Sequence, residues 1–208
     1  MTIRRGQDWG EPTTLDEDTP VFHDDASAAA AVQEAFDVGA TLPTIALVGG
    51  DLHRTLGSPH RLESDLRAGR GVRFPIDLGV MTFDDGRSPR VFLSSVVAHV
   101  GRQLWSGRTV TVMNGSFCGG LDLGPRAHPN DGVLDVVDGT LSRRDARRAM
   151  IRAATGTHLP HPDLIERRTA SYVVEADRPL HLTIDGSPVT STDRFSISCV
   201  PDALSVVV

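Results

Sequence analysis

From Phe74 to Val208 the apolar residues keep to short runs, many of them at every second position, and this pattern most constrains what the chain can fold into. Phe74, Ile76 and Leu78, then Val91, Leu93 and the Val96-Val97 pair, then Val110, Val112 and Leu121 read as strands. Tyr172-Val173-Val174, Leu180 to Ile184, Phe195 to Cys199 and Leu204 to Val208 extend the pattern. Such spacing suits antiparallel sheets, so residues 72–208 are expected to form a β-rich, sandwich-like domain. One helix interrupts them, from Ser142 to Thr155, with Ser142 and Asp145 as a capping box and Gly156 as its stop.

The preceding part reads differently. An acidic, proline-bearing stretch over residues 10–20 leads through Val21-Phe22 into a helix from Ala26 to about Phe36, stopped near Gly39. Ile45-Ala46-Leu47-Val48 is an uninterrupted apolar strand of the kind buried in parallel sheets, which makes this part a βαβ unit. Residues 58–71 are a polar, arginine-rich and serine-rich linker, and the expected domains are 1–71 and 72–208. A unit this small leaves an open edge at Ile45–Val48, which pairing with a second copy of the chain would cover.

Charge and composition exclude several roles. The 208 residues carry a net charge of −6, so bulk attraction to nucleic acid or to an anionic membrane is not expected. Every basic side chain is arginine, which removes lysine chemistry such as Schiff-base formation. Cys118 and Cys199 are too few for a disulfide framework or a zinc site; Cys199 shares a strand face with Ile197 and Phe195, and Cys118 beside Gly119 is expected as an exposed thiol. Met1–Trp9 has two arginines with no apolar run after them, which is not a secretory signal, and no apolar run is long enough to span a bilayer. A cytoplasmic protein is expected.

The densest cluster of motifs is Asn114-Gly115-Ser116-Phe117-Cys118-Gly119-Gly120, then Pro125-Arg126-Ala127, then Asn130-Asp131-Gly132-Val133-Leu134-Asp135-Val136. Asn-Asp-Gly makes a tight turn whose carboxylate either bends back onto its own backbone or holds a hard cation beside free carbonyls. Asp77-Leu78-Gly79 with Arg90-Val91-Phe92-Leu93, Gly156-Thr157-His158 and Asp185-Gly186 fall in order around that cluster, and Leu47 to Gly57 precedes it. Over roughly residues 43–208 this series resembles the diacylglycerol kinase-like lipid kinases. The resemblance implies an α/β plus β fold: a remnant of a Rossmann-like kinase nucleotide domain, then an antiparallel β-sandwich-like substrate domain.

The same resemblance implies site residues. Gly49, Gly50 and Asp51 match the family's second nucleotide loop, although the polar residues it aligns with Val48 and Gly50 are gone. The Gly-Gly-Asp-Gly-Thr phosphate cradle is replaced by His23-Asp24-Asp25-Ala26-Ser27, whose paired carboxylates repel phosphates and read as a helix N-cap. The catalytic Glu of the family's Asp-Gly-Glu falls on Ser187, so a proton acceptor would have to be Asp185, which otherwise shapes a hairpin turn. For Asp131 the resemblance implies a structural Mg²⁺ held by its carboxylate and by the carbonyls of His128 and Val133; an Asx turn without metal is the alternative.

Two functions follow from these readings. One is a non-catalytic lipid-kinase-like module that binds a lipid or small molecule or serves assembly, with no need of ATP. The other is an active, divergent kinase that passes the ATP γ-phosphate to a lipid hydroxyl. The Ser142–Thr155 helix adds Arg143, Arg144, Arg147, Arg148 and Arg152, which face either headgroups, an acidic partner or water. His158 and His161 are separated by Leu159-Pro160 and share no helical face for a metal.

Overall fold

The computed structural model describes residues 9–57, 62–101, 104–105 and 107–208. The arginines of the N-terminal stretch, Arg4 and Arg5, lie outside them. In chain order the elements are β1 (Glu11–Thr13), β2 (Val21–Phe22), α1 (Asp25–Asp37), β3 (Thr44–Leu47), α2 (Gly50–Thr55) and α3 (Glu63–Asp65). The sheet strands β4 (Gly71–Phe83), β5 (Arg90–Phe92), β6 (Ser95–His99) and β7 (Arg108–Met113) follow, with the small β8 (Phe117–Cys118) and β9 (Leu121–Asp122) pair. The chain continues with β10 (Leu134–Thr140), α4 (Arg143–Ala153), β11 (Leu164–Thr169), β12 (Ser171–Ile184) and β13 (Ser187–Val207).

Antiparallel pairing dominates, in the order β1-β4-β13-β12-β6-β7-β10-β11. Two long strands bend to serve two cores. β13 slips register between Val200 and Leu204, at Pro201 and Asp202, where Asp202 takes φ 52°. On one side of the bend Phe195 and Ile197 join Met81, Phe83, Val96, Val112 and Ile184; on the other Leu204 and Val206 join Ile76, Leu78, Ile45, Leu47 and the α1 residues Ala28 and Val32. Phe92 lies so close over β4 that a Cβ on Gly79 would sit 2.1 Å from its ring, so only glycine fits there. The expected β-sandwich-like body is present.

Ahead of it, β2 and β3 pair in parallel, and β3 pairs in parallel with Ser205–Val207 of β13. The edge expected at Ile45–Val48 is therefore covered on both sides from within the chain, and no second copy is needed there. The linker expected over residues 58–71 also differs where it is described: a helical turn at Leu66–Arg70 sends Leu66 into a core with Leu15, Ala46 and Val207. Helix α4 starts at the expected cap, with the Asp145 amide donating to Ser142 Oγ at 3.2 Å. Its Ala146, Ala149 and Ala153 pack on Trp105, Val137, Leu141 and Leu164. Among the described residues no helix is long and apolar enough to cross a membrane.

Candidate functional site

Three aspartates from separate motifs meet at the junction of α1, α2 and the β12–β13 hairpin. Asp24 alone caps α1: its carboxylate accepts from the Ser27 amide at 2.7 Å and the Ser27 hydroxyl at 3.0 Å, which holds its pKa below the usual carboxylate range. Asp25 is thereby free to turn the other way. Buried at 6% exposure, its Oδ2 accepts from the amides of Asp51 at 2.9 Å and Leu52 at 3.0 Å, at the start of α2. A Cβ on Gly49 would lie 2.4 Å from the His23 carbonyl oxygen, and one on Gly50 would lie 2.3 Å from Asp25 Oδ1. These glycines admit the chain's own backbone and carboxylate. Burial pushes the Asp25 pKa up to about 7, with the Asp185 and Asp51 carboxylates adding to it.

Asp185 and Gly186 form the two-residue turn between β12 and β13, with φ 47° and 82°, as a right-twisted hairpin requires. The Asp185 carboxylate points inward. Its Oδ2 accepts from the Leu93 amide at 2.7 Å, and its Oδ1 from Ser94 at 2.8 Å and Ser95 at 2.9 Å. Burial raises its pKa to about 6 despite those three donors. Ser187 opens β13 on the exposed side, opposite Ile184.

Asp51 ties α2 to the motif cluster: Oδ2 accepts from the Gly119 amide at 2.6 Å and Oδ1 from Gly120 at 3.2 Å. Arg54 lies over the Phe117 ring at 3.9 Å and donates to the Gly120 carbonyl at 3.1 Å. Cys118 is half-buried in this loop, where exposure was expected, and burial pushes its thiol pKa up.

At the Asn-Asp-Gly turn, Asp131 Oδ1 accepts from the Val133 amide at 3.2 Å, an Asx turn. Its Oδ2 pairs with Arg168, whose Nε also reaches Asp135 Oδ1 at 3.1 Å. His128 Nδ1 accepts from the Asn130 amide at 3.2 Å, and burial lowers the His128 pKa. A divalent cation on Asp131 would have to displace the guanidinium, so these residues suit an arginine better than Mg²⁺. Among the described residues no three histidine, cysteine, aspartate or glutamate side chains come together as a metal cage.

The turn is held from beneath by Asp77, 1% exposed. Its Oδ2 accepts from the Gly132 amide at 2.6 Å and its Oδ1 from Asp202 at 2.9 Å. Asn114 donates to the carbonyls of Asp77 and Leu93, each at 2.8 Å. In the sequence Asp77 and Asn114 stand out only as members of motifs, and Arg168, in a strand of mixed charge, carries no signal of its role. The one available signal for Asp25 was redundancy: a helix needs a single N-cap, and Asp24 already supplies it.

Away from the aspartates, a cleft of about 1000 Å³ opens between the β6–β7 connection and α4. Leu104, Trp105, Leu141 and Met150 line it with Arg143 and Arg147.

Comparison with known proteins places this architecture. No match is found among curated proteins. A candidate diacylglycerol kinase of Bacillus anthracis str. Sterne superimposes with a TM-score of 0.65 at 16% identity, over 89% of this chain and 75% of that one. Two further structures from the same organism, a candidate and a named diacylglycerol kinase, give TM-scores of 0.59 and 0.52 at 15% and 18% identity. Each covers 79% of this chain, and 69% and 66% of its own. At such identities the likeness is one of fold, and it agrees with the resemblance carried by the motifs. Residues 90–208, more than half of the sequence, match a family profile, and the chain belongs to the family described as the YegS C-terminal NAD kinase beta sandwich-like domain.

Proposed function

We propose that this chain is a non-catalytic, lipid-kinase-like binding module, one that keeps the substrate-side fold and has closed its nucleotide site with its own side chain. The observation that carries the reading is Asp25 on the amides of Asp51 and Leu52. Helix-start amides are what a nucleotide phosphate uses, and a buried carboxylate already holds them. An incoming phosphate would meet that carboxylate, and the Gly49–His23 contact leaves no gap between the two loops. The cleft beside α4, apolar with arginines in its wall, suits one acyl chain of a lipid or a similar apolar molecule.

An active kinase needs a proton acceptor, and the raised pKa of Asp185 would suit that task. Both of its oxygens are committed to amides of Leu93, Ser94 and Ser95, and the carboxylate is buried. That arrangement supports a structural post for Asp185 over a catalytic one. Calorimetric titration of the full chain separates the readings: ATP with Mg²⁺ should give no saturable heat at millimolar nucleotide, and a medium-chain monoacylglycerol should. Saturable ATP binding overturns the non-catalytic reading, and absence of heat with the acylglycerol overturns the ligand assignment.

A further inference from the structure

On the flank of α4 opposite the apolar cleft lies a second, smaller concavity. Gly156, at φ 66°, ends the helix and turns the chain back so that His158 and His161 stand against Asp145, Arg148, Ala149 and Arg152. The space is about 140 Å³. At about 30 Å³ per water it holds roughly five small atoms or waters, the size of one tetrahedral oxyanion.

Its walls are rich in donors. Arg148 and Arg152 are one turn apart on the same helix face and both line the space. The Arg148 contact with Asp145 is long, at 3.4 Å, and Asp145 is already engaged by the Ser142 hydroxyl at 2.7 Å. Among the described residues Arg152 has no carboxylate within ion-pair distance. His161 Nδ1 accepts from the Asp163 amide at 3.1 Å, which leaves its ring proton on Nε2 as a donor. Two guanidinium groups against one carboxylate leave the pocket net positive, in a chain whose overall charge is −6.

We infer that this pocket binds the phosphate of a phosphomonoester, with Arg148 and Arg152 as the guanidinium clamp and His161 as an additional donor. Two guanidinium forks together match the three terminal oxygens and near-double charge of a phosphomonoester, where chloride offers no fork geometry and a carboxylate only two oxygens and one charge. The site is independent of the nucleotide reading, because α2 and Asp25 take no part in it.

The test is a calorimetric titration of the full chain with inorganic phosphate at low ionic strength, on wild type, Arg148→Ala, Arg152→Ala and Arg144→Ala. All three arginines are exposed, and matching melting curves establish that each variant is folded. Arg144 is on the same helix but outside the pocket and controls for general helix charge. Saturable binding is expected, weakened at least tenfold by Arg148→Ala and by Arg152→Ala and changed less than twofold by Arg144→Ala. No saturable binding, or an equal loss in all three variants, overturns the site and leaves only a diffuse ion atmosphere. Flotation with phosphatidylcholine vesicles, with and without phosphatidic acid, then assigns the source. Capture that depends on phosphatidic acid and is lost in Arg152→Ala places the phosphate on a lipid; phosphate binding without capture places it on a soluble ester.

Discussion

Replacing Asp25 by asparagine tests whether a buried carboxylate really closes the start of α2. The substitution keeps the size and one acceptor oxygen but removes a charge whose pKa burial has raised from 3.8 to about 7. A carboxyl raised in the folded state favours folding while it stays protonated. Its contribution is complete below pH 3.8 and is lost as the pH climbs to about 7. At about 1.4 kcal/mol per pH unit, that interval amounts to about 4 kcal/mol. Asp185, raised to about 6, acts in the same direction. His128 and His158, held low by burial, act in the opposite one, losing stability as the pH falls below 6.5. These contributions are common to wild type and variant and largely drop out of the difference. Urea denaturation at about pH 4.5 and about pH 7.5 should therefore show wild type losing about 3 kcal/mol relative to Asp25→Asn. Parallel pH dependences of the two proteins would refute the reasoning.

Two further outcomes are expected. Asp77→Ala leaves the Gly132 and Asp202 amides without their acceptor and should cost about 2 to 4 kcal/mol of stability by urea denaturation; an unchanged midpoint would show that the turn holds itself. Arg168→Ala frees Asp131 and Asp135, so millimolar Mg²⁺ should raise the melting temperature of that variant and leave wild type unmoved, whereas an equal rise in both would mean that the guanidinium does not stand in the cation's way.

Local patterns carried much of the fold. The alternation at Phe74, Ile76 and Leu78, the Ser142 cap and the Asp185-Gly186 turn each depend on neighbours within a few residues, and each appears where it was read. The strands read as Phe195–Cys199 and Leu204–Val208 are one bent element, because a bulge at Pro201 and Asp202 imitates a loop in sequence. Leu66 was hidden because Leu62 and Leu66, four apart in a short polar stretch, are too few to display a period, and only Leu66 turns inward. The site was least legible, since its defining bonds span the chain: Asp25 to Leu52 across 27 positions, Asp131 to Arg168 across 37, and Leu93 to Asp185 across 92. A carboxylate's choice among distant amides is made by tertiary packing.

The position of β13 has a consequence for how the molecule comes into being. Its two antiparallel neighbours, β4 and β12, and its parallel neighbour β3 are all synthesised before it, and Val208 exchanges a pair of backbone hydrogen bonds with Val72 at 2.8 and 3.0 Å. While the ribosome is still adding these residues, β4 and β3 wait with unpaired edges and uncovered apolar faces. Closure is a single late event, at a long sequence separation that makes it slow. A nascent chain stalled before Leu204 should thus be a client for chaperones, and deletion of Leu204–Val208 should abolish the fold.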